Sequence, residues 1–124
     1  MSLGRILVVD DDEEIRGTLG AVLQAEGFVV LEARNGLHAL QQLLRLPLPG
    51  VILLDMTMPV MSGFEFLDMQ QEDPRIRGIP VIAVTVHAKV AEIRGVQRLV
   101  RKPFDLRELL EALREVLAAA QPLT

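Results

Sequence analysis

Ile6-Leu7-Val8-Val9-Asp10-Asp11-Asp12, near the start of the chain, places four aliphatic residues directly before three carboxylates. An unbroken apolar run of this length reads as a strand buried on both faces, and the acids mark its exit into a polar loop. Outward from it, Ile15, Leu19, Val22 and Leu23 recur at helical spacing until Gly27 stops them. Phe28-Val29-Val30-Leu31 is a second strand, closed by Asn35-Gly36. Leu37, Leu40, Leu43 and Leu44 mark a second helix, ended by Pro47 and Pro49. Val51-Ile52-Leu53-Leu54 is a third strand that stops on Asp55.

The alternation continues to the end. Phe64, Leu67 and Met69 mark a third helix, which must finish before Pro74. Val81-Ile82-Ala83-Val84 is a fourth strand, stopping on Thr85, and a short helix is expected over 88–94 before Gly95. Leu99-Val100-Arg101 is a brief fifth strand. Asp105 then caps a final helix, with Glu108 as its capping-box partner and Leu106, Leu109, Leu110, Leu113, Val116 and Leu117 on one face. Strands alternating with helices predict an α/β fold: a doubly wound, five-stranded parallel sheet with helices on both faces. A unit spanning 4–120 is expected, with 121–124 as a tail or the start of a linker.

Composition narrows the chemistry. The 124 residues suit one domain. Thirteen Lys and Arg against 17 Asp and Glu leave a net charge of −4, which argues against direct nucleic-acid binding. With no cysteine, disulfides, thiolate metal sites and cysteine nucleophiles are excluded. No apolar run approaches the roughly 20 residues a membrane-spanning helix needs. The cytoplasm is the expected compartment.

In sheets of this kind, sites form at the carboxyl ends of the strands. Asp10, Asp11 and Asp12 lie there after strand one, Asp55 after strand three, Thr85 after strand four and Lys102 after strand five. Asp12 is explained as a helix cap. The others form a poor structural set, because carboxylates clustered at one edge repel one another unless a cation binds them. Hard oxygen ligands favour Mg²⁺. The suited chemistry is phosphoryl transfer to a carboxylate, with the metal and a lysine neutralising the phosphoryl charge. Thr85 could donate its hydroxyl to a phosphoryl oxygen.

These pieces, together with Leu54-Asp55-Met56-Thr57-Met58-Pro59, Met61-Ser62-Gly63, Val84-Thr85 and Lys102-Pro103-Phe104, resemble the receiver domain of bacterial two-component response regulators over almost the whole chain. The resemblance implies a flavodoxin-like sheet in the order 2-1-3-4-5. It also implies a phosphorylation-controlled switch rather than an enzyme. Asp55 would be phosphorylated by a histidine kinase or a histidine phosphotransfer protein. Mg²⁺ would be held by Asp11 directly, by Asp10 directly or through water, by Asp55 and by the Thr57 carbonyl. Lys102 would contact the phosphoryl group and Thr85 would sense it. Pro59 and Gly63 would shape the loop after the acceptor, and the Lys102–Pro103 bond would be cis. An output domain or partner protein would act downstream; a homodimer is left open.

Three departures concern output. Leu99 stands where the family usually has Tyr or Phe, and Val86 follows the threonine where a small residue is usual. The interval from Thr85 to Lys102 is about one helical turn, roughly 5 Å of helix, shorter than in most relatives. They keep open a second reading, a phosphate-independent interaction module with an altered output face. A Mg²⁺-dependent phosphohydrolase is weaker, since it needs an acid where Thr57 stands. His38 reads as a solvated helix residue, and His87 as a loop residue.

Overall fold

The computed structural model describes residues 4–86 and 93–120. Its elements alternate as expected as far as β4: β1 Arg5–Val9, α1 Glu13–Ala25, β2 Val29–Ala33, α2 Gly36–Gln42, β3 Val51–Asp55, α3 Gly63–Glu72, β4 Val81–Thr85, then β5 Arg98–Arg101 and α4 Leu106–Ala120. The helix expected over 88–94 falls mostly outside the described residues, as do His87 and the tail 121–124. Among the described residues no helix is long and apolar enough to cross a membrane.

All five strands pair in parallel, in the order β2-β1-β3-β4-β5. Strand side chains alternate between faces, so the sheet sorts its aliphatic residues into two cores. Ile6, Val8, Val51, Leu53, Ile82 and Val100 pack with α1 and α4 through Leu19, Leu23, Leu109 and Leu113. Leu7, Val9, Ile52, Leu54, Val81 and Ala83 pack on the other side with Ala39 and Leu43, Phe66, and Ile76. Because α1 and α2 cover opposite faces, β1 and β3 meet at the point where the winding reverses, and the carboxyl ends of these strands open into a crevice.

Two helix faces differ from the sequence pattern. On α3, Phe64 and Met69 are exposed while Phe66, Leu67 and Gln70 are buried. Gln70 can be buried because its Nε2 donates to the carbonyls of Ile76 and Ile79, both at 3.0 Å, and so holds the turn before β4. Helix α2 ends at Gln42, before either proline, and Leu37 and Leu44 face outward. Strand β2 runs on from the expected Leu31 to Ala33, whose carbonyl accepts from the Asp10 N–H at 3.1 Å.

The helix ends explain themselves. Asp12 Oδ1 accepts from the Glu14 and Ile15 amides and caps α1. Ser62 and Glu65 close a complete capping box on α3. Asp105 Oδ1 accepts from the Arg107 amide at the start of α4.

Candidate functional site

Four strand ends build the site. Strand β1 hands over Asp10 and Asp11, β3 ends on Asp55, β4 ends on Thr85, and β5 leads into Lys102. The parallel register sets Asp55 beside Val84 and Thr85 beside Arg101, so the carboxylate, the hydroxyl and the lysine arrive at one edge. The Lys102 amide donates to the Thr85 carbonyl at 2.9 Å, which extends the ladder by one residue and fixes where the lysine leaves the strand. The Lys102–Pro103 bond is cis, as the family resemblance implied.

The side chains converge. Asp10, Asp11 and Asp55 each offer a carboxylate oxygen, and these oxygens all lie within 4.8 Å of one another. Lys102 Nζ donates to Asp10 Oδ2 at 2.7 Å and stands 3.6 Å from Asp55 Oδ2. Asp10 Oδ1 accepts from the Asp12 amide at 2.9 Å, and Asp55 Oδ1 from the Thr57 amide at 3.2 Å. Asp10, Asp55 and Thr85 are buried, while Asp11 is exposed. The structure thus brings together Asp10, Asp11, Asp55 and Lys102, with Thr85 adjoining them.

Burial is the largest influence on Asp55. It pushes the carboxyl up to about 6, with Asp10 and Asp11 adding to the rise and Lys102 and the Thr57 amide opposing it. For Lys102, burial pulls the ammonium down, but the hydrogen bond and charge of Asp10, with Asp55 behind them, outweigh it and hold the group above its usual value. Three carboxylates and one ammonium leave the pocket short of positive charge. Its donors are all hard oxygens, and Asp11 faces solvent, where a cation could keep its waters. The set therefore suits a small divalent ion such as Mg²⁺.

The loop after Asp55 is shaped by close approach. A Cβ on Gly63 would lie 2.6 Å from the Asp55 carbonyl oxygen and 2.7 Å from the Met56 Cα, so only glycine lets α3 begin this near Asp55. Between them the Met61 amide donates to the Pro59 carbonyl at 2.8 Å around Val60, whose φ is 69°. A three-residue turn with its β-branched centre at positive φ is strained. Val60 is three-quarters exposed and makes no core packing that would favour the branched side chain. Val60→Asn should therefore stabilise the protein by about 1 kcal/mol, since asparagine tolerates this conformation. Chemical denaturation would show it as a raised midpoint with unchanged slope; an unshifted midpoint would mean the turn carries no strain.

Three sequence-derived features take other places. Leu99 pairs with Ala83 and is half-buried against the core that holds Phe66 and Leu67. Val86 is exposed and lines a groove of about 640 Å³ with Ile15, Lys102, Pro103 and Phe104. His38 is half-buried rather than freely solvated: its Nδ1 accepts from the Arg34 amide at 3.1 Å. Burial, then Arg34 and Arg16, hold its ring below the usual histidine value. Sequence reasoning missed Arg16, whose Nη1 donates to the Asp10 carbonyl at 2.8 Å. Its position one helical turn after Asp12 was the available signal.

The sequence pattern of the response regulator receiver domain matches residues 6–114. The chain belongs to that family. It is 32% identical over 120 residues to the polar-differentiation response regulator DivK of Brucella anthropi, covering 93% of this chain and 97% of DivK. It is 33% identical over 124 residues to the phosphate regulon transcriptional regulatory protein PhoB of Klebsiella pneumoniae, covering 96% of this chain but 54% of PhoB. The receiver domain thus spans about half the length of PhoB. Among solved structures, the response regulator TrrA of Thermotoga maritima in complex with Mg²⁺-BeF superimposes with a TM-score of 0.81 at 29% identity, covering 94% of this chain and 99% of that one. Receiver domains are regulatory phosphoacceptors rather than enzymes in the usual sense, and they work with histidine kinases.

Proposed function

We propose that this receiver domain is a phosphorylation-controlled switch of a two-component phosphorelay. The observation that carries the reading is the buried Asp55, with Lys102 Nζ at 3.6 Å and the carboxylate oxygens of Asp10 and Asp11 within 4.8 Å. An Asp55 oxygen attacks phosphorus on a phosphohistidine of a histidine kinase or phosphotransfer protein. The new O–P bond forms as the N–P bond breaks, and the imidazole leaves with the electron pair. Asp10, Asp11, Asp55 and the Thr57 carbonyl would hold Mg²⁺, which when bound neutralises charge on the transferring group. Lys102 neutralises a further phosphoryl oxygen, and Thr85 donates its hydroxyl to another. Pro59, Gly63 and Pro103 keep the loops that carry these groups in place. Residues 4–120 act as the unit and 121–124 as a tail or linker start. It works in the cytoplasm on an output domain or partner protein, without itself contacting nucleic acid or membrane.

Incubation with Mg²⁺ and a small phosphodonor, followed by intact mass, tests this. Wild type should gain one phosphoryl group, and Asp55→Asn none. Equal labelling of the two would remove Asp55 as the acceptor. No gain in wild type would favour the phosphate-independent module, for which Leu99 speaks: it has no ring with a polar tip to follow Thr85. Val86 bears on decay of the signal. Its stiff, branched side chain follows Thr85 and shares a groove with Lys102, and from there would hinder the hydrolytic water. Val86→Ala should therefore lose the phosphoryl group faster after the donor is removed; an unchanged or slower rate would show that Val86 does not guard it.

A further inference from the structure

Asp10 is tied at every polar atom. Its amide donates to the Ala33 carbonyl at 3.1 Å. Its Oδ1 accepts from the Asp12 amide and its Oδ2 from Lys102 Nζ, at 2.9 Å and 2.7 Å. The last atom, its carbonyl oxygen, accepts from Arg16 Nη1 at 2.8 Å. Asp11 is the opposite case. It is exposed, and among the described residues no hydrogen bond or ion pair holds its carboxylate. Yet this carboxylate reaches the same 4.8 Å cluster as Asp10 and Asp55.

The two halves connect through one peptide. The Asp10 carbonyl and the Asp11 amide share a planar unit, so fixing the carbonyl fixes where the Asp11 Cα sits and leaves only φ and the side-chain torsions to aim its carboxylate. Arg16 can do this because it is itself anchored. Its Nε contacts Glu32 Oε1 on β2 at 3.1 Å, and its side chain is only 16% exposed. A planar guanidinium serves two acceptors at a fixed angle, which a lysine ammonium on a flexible stem does not.

We propose that Arg16 is the positioning residue of the acidic pocket: held by Glu32, it orients the Asp10–Asp11 peptide so that the Asp11 carboxylate points at the cation. This rests on the reading that the pocket binds Mg²⁺. The role has a sign that simple charge does not. Removing a nearby positive charge makes an acidic pocket more attractive to a cation, whereas losing the orientation of a ligand weakens binding. The loss should be selective, because Mg²⁺ demands near-ideal octahedral geometry and Ca²⁺ tolerates irregular coordination.

Amide NMR titrations of the metal-free protein with Mg²⁺ and with Ca²⁺, on wild type, Arg16→Met and Arg16→Lys, test this. Partners of metal ligands commonly contribute about tenfold or more in affinity. Arg16→Met should therefore bind Mg²⁺ about tenfold more weakly and Ca²⁺ much less so. Arg16→Lys, which keeps the charge, should lie between Arg16→Met and wild type. If Arg16→Met does not fold, Arg16→Lys alone carries the test, with a Mg²⁺ loss larger than its Ca²⁺ loss. Unchanged or tighter Mg²⁺ binding in the variants, or equal losses for the two ions, would overturn the role of Arg16 while leaving the Mg²⁺ reading intact. Wild type that binds no Mg²⁺ would overturn both.

Discussion

Replacing Lys102 by methionine should destabilise the metal-free protein by about 3 kcal/mol, and Mg²⁺ should recover more stability in the variant than in wild type. Lys102 Nζ sits 2.7 Å from Asp10 Oδ2 and 3.6 Å from Asp55 Oδ2, and the Lys102 and Asp10 side chains are only 15% and 4% exposed. Removing one member of a buried pair leaves an uncompensated charge, which typically costs about 3–5 kcal/mol. The lower figure fits here, because the Asp12 amide still donates to Asp10 Oδ1 and the Thr57 amide to Asp55 Oδ1. Lys102 is held above its ordinary value by Asp10 and Asp55 against the opposing effect of burial. A raised lysine contributes fully below its unfolded value and fades only as pH rises past the folded one. The contribution is therefore complete at neutral pH. Thermal melts in chelator should show a drop of roughly 10 °C. Added Mg²⁺ supplies the missing charge, and binding to the folded state alone adds about 2.7 kcal/mol at a hundredfold excess over Kd. Equal melting temperatures in chelator would mean the ion pair contributes nothing to the fold.

That pair joins residues far apart in sequence, yet both ends of it were visible from strand-end placement. The reason is physical. Ile6-Leu7-Val8-Val9 and Val51-Ile52-Leu53-Leu54 are buried on both faces, so they appear as continuous apolar runs whose ends are marked by the first polar residue. Parallel pairing then carries every such end to one edge. Helix faces were less legible. On α3, Phe64 and Phe66 compete for the core, and Phe66 is favoured because Gln70, one turn on, is drawn inside by the Ile76 and Ile79 carbonyls. A glutamine satisfied by distant backbone leaves no apolar signal in the sequence. The ties around Asp10 were hidden for a similar reason: Arg16 acts on a carbonyl, and every residue has one.

Asp55→Asn should make the metal-free protein more stable than wild type at pH 8, by up to about 2–3 kcal/mol, with the gap closing as pH falls. The folded Asp55 carboxyl titrates at about 6, against 3.8 for the ordinary group. Burial is the main cause, so the folded state is penalised whenever Asp55 is ionised. Above pH 6 both folded and unfolded chains carry the charge, and the penalty is complete. As pH falls through 6, the folded protein takes up a proton that the unfolded chain does not yet bind. This group therefore makes wild type more stable towards pH 4, the reverse of the usual salt-bridged aspartate. Asparagine does not titrate, so the advantage of the variant is a record of the charge alone. Each tenfold difference in proton affinity between the folded and unfolded chains corresponds to about 1.4 kcal/mol, and the rise from 3.8 to about 6 spans roughly two such steps, which sets the upper bound near ~3 kcal/mol. Paired denaturation curves in chelator from pH 4 to pH 8 check the result, and a gap independent of pH would show that the Asp55 charge is not its source. Mg²⁺ should reverse the order at pH 8, because the carboxylate that burdens the empty pocket is the one that gives the cation a ligand. A site that costs stability while empty is one whose folded state is coupled to occupancy, the property that the proposed switch needs.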